Sequence, residues 1–199
     1  MGEQRRIWLV RHGETAWSLS GQHTGRTNIP LTATGRCQAE TLGRYFAGRS
    51  FALVLTSPLG RAVETCRLAG YDAVAQRNDD LLEWDYGIYE GKTTAAIRQQ
   101  QPDWSIWNSP IVDGESVEQV GERARRVIRL AESAKGDTLL FAHAHLLRIL
   151  GACWIGRPPS DGRLLKLDTA SISVLGWEHE NHVIDVWNQD WHLVPIPVC

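Results

Sequence analysis

An α/β layer fold is the architecture this sequence predicts, and three observations carry the prediction. Strand-length apolar runs alternate with stretches of helical periodicity along the chain. The first run, Ile7-Trp8-Leu9-Val10, ends in Arg11-His12 and breaks at once on Gly13. That break pushes two ionisable side chains off the carboxyl edge of a sheet, where open α/β sheets hold their ligands. The length of 199 residues, 43% hydrophobic, suits one domain with a large core, and no repeat, low-complexity run or linker divides it.

The elements follow in order. After the first strand comes a Gly/Thr/Ser-rich loop, Gly13 to Pro30. Thr32 is placed as an N-cap, with Ala39, Leu42, Tyr45 and Phe46 recurring behind it at helical spacing. Leu53-Val54-Leu55 is a second short buried strand closed by Thr56-Ser57-Pro58, and a helix runs from Leu59 to Leu68. Residues 71–75 are assigned to a third strand. The segment 79–115 is loop-rich and carries Trp84, Tyr86, Tyr89, Trp104 and Trp107. Aromatics at that density predict an excursion covering a substrate, a small subcore beneath the loop, or both. Ser116 caps the best helix, whose apolar stripe is Val117, Val120, Ala124, Val127, Ile128 and Ala131. Glu122 and Arg126 stand at i,i+4 on its other face as a solvated pair. Thr138 to Ala142 is the next buried strand, followed by His143-Ala144-His145 and a helix from Leu146 to Ile155. Ser171 to Trp177 and Val183 to Trp187 form two strands around a polar turn, Glu178 to His182.

A net charge of −2 with 22% charged residues offers no surface for nucleic acid or a membrane. No apolar run approaches the ~20 residues a membrane helix needs. Met1-Gly2-Glu3-Gln4-Arg5-Arg6 lacks the apolar stretch of a secretory leader. Cys37, Cys66, Cys153 and Cys199 show no CxxC spacing, so the expectation is free thiols in a cytoplasmic protein.

Four separated segments carry groups suited to phosphoryl transfer. Arg11 offers a planar fork for an anion, and His12 a nucleophilic or proton-carrying ring. In Thr56-Ser57-Pro58-Leu59-Gly60-Arg61-Ala62, Arg61 falls in the first turn of a helix, whose N-terminus already favours an anion. Leu82-Glu83-Trp84-Asp85-Tyr86-Gly87 sets a carboxylate among aromatics, a desolvated setting suited to a general acid. The fourth segment is Ala142-His143-Ala144-His145. Period-two spacing would turn both histidines to one side, as in a partial metal site, but no HExxH, clustered cysteines or Asp-rich loop adds a third ligand. No metal is therefore expected, and His143 is set facing the same anion as His12. The GxxxxGK[ST], GxGxxG and GxSxG patterns and the kinase set are absent. His179, His182 and His192 are assigned to the surface.

The chain resembles the histidine phosphatase superfamily, which includes the phosphoglycerate mutases. The resemblance rests on Leu9-Val10-Arg11-His12-Gly13-Glu14-Thr15, Thr24-Gly25 with Pro30-Leu31-Thr32 and Gly35, and Thr56-Ser57-Pro58 with Arg61-Ala62 and Thr65. It continues through Glu83 with Tyr86-Gly87 and Glu90-Gly91, then Gly114-Glu115-Ser116 and His143. It implies a three-layer α/β/α sandwich with a mostly parallel sheet, as one domain over residues 1–199 with 79–115 covering the substrate. It also implies roles: His12 attacks phosphorus and becomes a phosphohistidine, while Arg11, Arg61 and His143 bind the phosphoryl oxygens. Glu83 would protonate the leaving alkoxide and later deprotonate the attacking water. Two arginines with an imidazolium supply the charge, so no Mg²⁺ and no cofactor is expected. Ser18, His23, Thr24, Gly25, Tyr86 and His145 are the candidate substrate-binding residues, with Arg26 beside His23 at the entrance.

Departures from the family pattern set the expected branch. Mutases usually carry Asn where Ser18 stands and Trp where Arg26 stands, and they are commonly longer, with segments that close over the substrate and hinder hydrolysis. Ala144 stands where the family often has glycine. Residues 20–25 and 82–87 look most like sugar-phosphate phosphatases, including sedoheptulose-bisphosphatase-like members. The expectation is a metal-independent phosphatase of small phosphorylated metabolites, sugar phosphates first. Phosphoglycerate mutase is the alternative, and a non-catalytic binding protein on the same scaffold is third. The expected partners are a small phosphorylated substrate and a second copy in a homodimer, since many relatives self-associate.

Overall fold

The computed structural model describes residues 5–193. Its sheet comprises β1 (Ile7–Arg11), β2 (Leu53–Thr56), β3 (Gln76–Arg77), β4 (Thr138–Ala142), β5 (Ile172–Glu178) and β6 (Asn181–Gln189), in the order β3-β2-β4-β1-β5-β6. The first four in that order are mutually parallel; β5 runs antiparallel to β1, and β6 to β5. Register decides what meets at the carboxyl edge. Arg11 lies opposite Ala142 and Thr56 opposite Phe141. The residues that follow, His12, Ser57 and His143, therefore leave the sheet side by side.

Strand alternation builds a core on each face. Ile7 and Leu9 point into a cluster with Val120, Ala124 and Val127 of α5 (Val117–Ser133) and Leu146, Leu147 and Leu150 of α6 (Ala144–Trp154). Trp8 and Val10 point the other way, toward Leu42 of α2 (Ala33–Tyr45) and Cys66 of α3 (Gly60–Leu68). The result is the expected three-layer α/β/α arrangement. The expected caps are present: Thr32 Oγ1 accepts from Gly35 N at 3.0 Å, and Ser116 forms a reciprocal capping box with Gln119.

Several expectations need correction. Residues 71–75 form a turn, with Val74 N and Ala75 N both donating to Tyr71 O, and the strand starts at Gln76. The apolar Tyr71 imitated a strand residue, but its ring packs on Phe46 and Phe51 and its hydroxyl donates to Arg49 O. The loop after β1 contains α1 (Ala16–Ser20), nucleated by a capping box between Thr15 and Ser18. Glu122 pairs with Arg125 rather than Arg126, because Asp80 takes Arg126 in a two-pronged grip at 2.7 and 3.0 Å. The helix after β4 starts at Ala144, so the β spacing that would align His143 with His145 does not apply. Cys66 and Cys153 are free thiols, but Cys37 is disulfide-bonded, against the expectation of free cysteines throughout. Such a bond depends on which segments the fold brings together, so it leaves no local spacing signal. Cys199 and residues 1–4 lie outside the described residues.

The 79–115 segment holds two short 3₁₀ turns and α4 (Thr94–Arg98). Trp84, Tyr86, Tyr89 and Trp104 are buried there and Trp107 partly so, forming the subcore that was one of the two readings. Among the described residues, no helix is long and apolar enough to cross a membrane.

Candidate active site

His12 sits just past β1, 5% exposed. Its backbone is fixed by His12 N to Ala142 O at 3.0 Å and Ala170 N to His12 O at 3.1 Å. Nδ1 lies 2.7 Å from Gly13 O. A carbonyl only accepts, so Nδ1 carries the proton and Nε2 keeps the lone pair. Burial first, then the charges of Arg61 and Arg11, push the ring well below its ordinary value, so His12 is neutral. The next residue is clamped as well. Gly13 N donates to Thr65 Oγ1 at 3.1 Å, and a Cβ on Gly13 would overlap the Gly35 carbonyl in the first turn of α2. Gly35 answers in kind, since a Cβ there would overlap the Glu14 carbonyl.

Arg61, on the first turn of α3, is fully buried. Nε donates to His143 Nδ1 at 3.2 Å, Nη1 to Thr27 O at 2.9 Å, and Nη2 to Thr24 O at 3.0 Å and Gly25 O at 2.9 Å. Four of its five N–H groups are thus occupied, leaving one on Nη1. His143 accepts at Nδ1, so Nε2 holds the proton and donates to Ser57 Oγ at 2.7 Å. Burial, then Arg61, push His143 well below its ordinary value. Where the family resemblance implies an imidazolium, the structure gives a neutral ring, because His143 is fully buried and its Nδ1 accepts from the Arg61 guanidinium. The rings of His12 and His143 are 5.2 Å apart.

Arg11 donates from Nη1 to Leu167 O at 2.7 Å, while its buried Nε has no hydrogen-bond partner. Burial lowers the Arg11 guanidinium from its ordinary value, opposed by Glu83 and Asp168. Glu83 is 4% exposed. Its Oε1 accepts from Trp84 N at 3.0 Å and Leu146 N at 2.9 Å, and Oε2 from His145 N at 3.0 Å. The two amides of α6 are those an N-cap side chain normally serves; His143 makes no such bond, so Glu83 caps the helix from outside. Arg11, His12 and Glu83 line one cleft of about 420 Å³. Arg61 and His143, both fully buried, stand behind them. Among the described residues, no group of three or more His, Cys, Asp or Glu could hold a metal ion.

The model of the histidine phosphatase superfamily (branch 1) matches residues 7–190. The chain belongs to that superfamily. It is 40% identical to an acid phosphatase of Mycobacterium tuberculosis over 195 residues, covering 96% of both chains. It is 34% identical to the sedoheptulose 1,7-bisphosphatase of Saccharomyces cerevisiae over 183 residues, 76% of this chain and 68% of that one. The solved structure of an open reading frame product from Mycobacterium tuberculosis superimposes with a TM-score of 0.85 at 40% identity, over 92% of this chain and 97% of that one. These likenesses bear out the fold and the family and support a phosphomonoester hydrolase.

The other predicted residues of this histidine phosphatase divide by what their polar groups already do. Ser18, His23, Thr24, Tyr86 and His145 line the cleft. The Ser18 hydroxyl is taken up by the α1 capping box. Gly25 is set back, its N–H on the Glu90 carboxylate and its carbonyl on Arg61. Arg26 reaches Asp85 and Glu115, not the cleft. Tyr86 Oη and His145 Nδ1 are 2.6 Å apart. Burial raises Tyr86 well above its ordinary value and pushes His145 well below, so the phenol donates and the ring keeps its proton on Nε2. Burial pulls His23 down to about 4. Glu14 is structural: Thr32 Oγ1 donates to its Oε1 at 2.7 Å. Of the terminal histidines, His179 and His182 are exposed, while His192 is partly buried and bonded to Ala170 O. Trp107, among the aromatics expected over a substrate, is in the cleft wall, whereas residue patterns gave no sign of Trp17, Arg98 and Arg148 there, because helix and loop positions of this kind are usually solvated or core.

Proposed function

We propose that this histidine phosphatase hydrolyses small phosphorylated metabolites through a phosphohistidine, without a metal. The observation that carries the reading is the buried, unpartnered Arg11 Nε in a cleft shared with a neutral His12, whose Nε2 is its one basic nitrogen. An orphaned cationic donor is costly unless an anion occupies it. His12 Nε2 attacks phosphorus and the ester P–O bond breaks. Glu83 gives its proton to the departing alkoxide from Oε2, the oxygen that accepts a single amide. Water then attacks phosphorus, Glu83 takes the water proton, and the P–N bond breaks to release phosphate and free Nε2. Arg11 and the remaining Arg61 N–H stabilise the equatorial oxygens. His143 holds Arg61 in place through Nδ1 and is itself held by its one N–H on Ser57 Oγ.

The wall supports a sugar phosphate with a second anionic group. Arg98 and Arg148 line it without an ion pair to any described residue, and Arg148 is pinned by Gly162 O and stacked 4.6 Å over Trp107. His23, Thr24, Tyr86 and His145 supply polar groups for hydroxyls. Sugar phosphates are intracellular compounds, which favours a cytoplasmic location. The decisive experiment is rapid-quench trapping of labelled phosphoenzyme from p-nitrophenyl phosphate. Wild type accumulates an acid-labile, base-stable adduct, His12→Ala accumulates none, and EDTA changes neither rate nor yield. Turnover by His12→Ala, or activity lost to EDTA and restored by a metal, overturns the mechanism. Rapid formation of 2-phosphoglycerate from 3-phosphoglycerate, with little free phosphate, makes the protein a mutase instead.

A further inference from the structure

Glu83 is held at its carboxylate by α6 and at its backbone by one residue of α5. That residue is Arg123, 8% exposed. Its Nη1 donates to Asp80 O at 2.9 Å and Leu82 O at 2.7 Å, and Nη2 donates to Glu83 O at 3.3 Å. Nε and Nη2 also grip the Glu115 carboxylate, both at 2.8 Å. One bond from Nε and two from each Nη occupy all five N–H groups. Glu115 then fastens the far side of the same segment. Its Oε2 accepts from Asp85 N at 3.0 Å, and its carbonyl accepts from Trp84 Nε1 at 2.7 Å. Burial pushes the Glu115 carboxyl up, but the Arg123 hydrogen bonds and charge outweigh it and hold it below its ordinary value. Residues 80–85 are thus gripped on both sides of the one carboxylate that lines the cleft.

We infer that Arg123, locked by Glu115, is a positioning residue for proton transfer: it fixes the Glu83 backbone so that Oε2 stays presented to the leaving oxygen. Arg125 pairs with the exposed Glu122, and Arg126 pairs with the partly buried side chain of Asp80. Arg123 instead turns inward and meets the backbone of the loop that carries the acid. A fork is needed because three carbonyls and a carboxylate must be held at once; a lysine ammonium has only three donors and no fixed plane.

The inference rests on Glu83 as the acid–base group, and the test separates the two. Arg123→Lys is compared with wild type on p-nitrophenyl phosphate, whose leaving group needs little protonation, and on glycerol 1-phosphate, whose alkoxide needs a full proton. Alkyl phosphate hydrolysis is expected to fall about tenfold or more, and aryl phosphate hydrolysis less than about threefold. In a Glu83→Gln background the same substitution should add almost nothing to the alkyl loss, since the two residues act in one step. Equal losses on both substrates overturn the inference, and so does an undiminished Arg123→Lys effect in the double variant. If Arg123→Lys fails to fold, Glu115→Gln carries the test, because it loosens the same fork and should give the same split. A leaving-group split in Glu83→Gln without one in Arg123→Lys removes the positioning role alone. No split in Glu83→Gln removes the acid–base assignment itself.

Discussion

The two ends of the cleft are built on different principles. At the sheet edge, Arg61, Ser57 and His143 are joined by short-range polar bonds, and the His12 ring stands 5.2 Å from that of His143, an arrangement that follows from strand register. On the opposite wall, Tyr86, His145, His23 and Trp107 are set by aromatic packing between segments far apart in sequence. The edge is uniform in chemistry, with neutral rings among fixed cations. The wall is varied, and its donors are mounted on a hydrophobic subcore. On the proposed function, the edge would serve any phosphoryl group and the wall would distinguish what is attached to it, the division by which one fold can act on many esters.

Perturbing the edge should cost most. Arg61→Ala removes four hydrogen bonds from a buried charge to an imidazole and three carbonyls. Stability should fall by about 3 kcal/mol or more, and kcat/KM by about 10²–10³-fold. Urea unfolding and p-nitrophenyl phosphate kinetics measure the two, and a fully active variant would break the contrast at once. Acidification probes both ends next. The folded protein disfavours protonation of His23 down to about 4, whereas the unfolded chain takes up the proton near 6.5. The stabilisation is complete above pH 6.5 and is lost as pH falls toward 4. His23→Asn should therefore reduce the stability lost between pH 6.5 and pH 5 by up to about 2 kcal/mol. Parallel pH profiles for variant and wild type would mean that His23 is not a buried neutral ring.

On the wall, Tyr86→Phe deletes the 2.6 Å bond to His145. It should cost about 1 kcal/mol, raise KM for sugar phosphates, and leave kcat for p-nitrophenyl phosphate within about threefold. A collapse of the aryl rate would erase the boundary between wall and edge. The smallest effect belongs outside the cleft. Arg126→Ala breaks a half-exposed pair with Asp80, worth about 0.2–1 kcal/mol and reduced by salt.

The same division governs what the sequence disclosed. Ile7 to Val10, Leu53 to Leu55 and Leu139 to Ala142 announce their strands because the runs are purely apolar. Arg11 and His12 follow the first of these strands, Arg61 the strand Leu53–Thr56 and His143 the strand Thr138–Ala142, each within a few residues, so their convergence is legible. Tyr86 with His145, and Arg123 with Glu83, are matched by packing across 59 and 40 residues, and no local pattern reports such a partner. Gly114-Glu115-Ser116 did belong to the family signature, yet its carboxylate is taken by Arg123, Arg26 and Asp85 N rather than facing the cleft, so the motif marks the position without showing its task. The failures at Tyr71 and at the Glu122–Arg126 pair have the same origin: Tyr71 packs on Phe46 and Phe51, and Asp80 takes Arg126, so in both a partner from another segment decides.

The contact between Gly13 and Gly35 has a consequence for engineering. Most core clashes can be relieved by trimming the opposing side chain, but here neither partner has one to trim. The obstacle on each side is a peptide carbonyl, so no second-site substitution restores the space. A variant library should therefore hold both positions constant as a single unit, and place its diversity on the wall, where Arg98, Trp107 and Arg148 can change size and charge without moving the nucleophile.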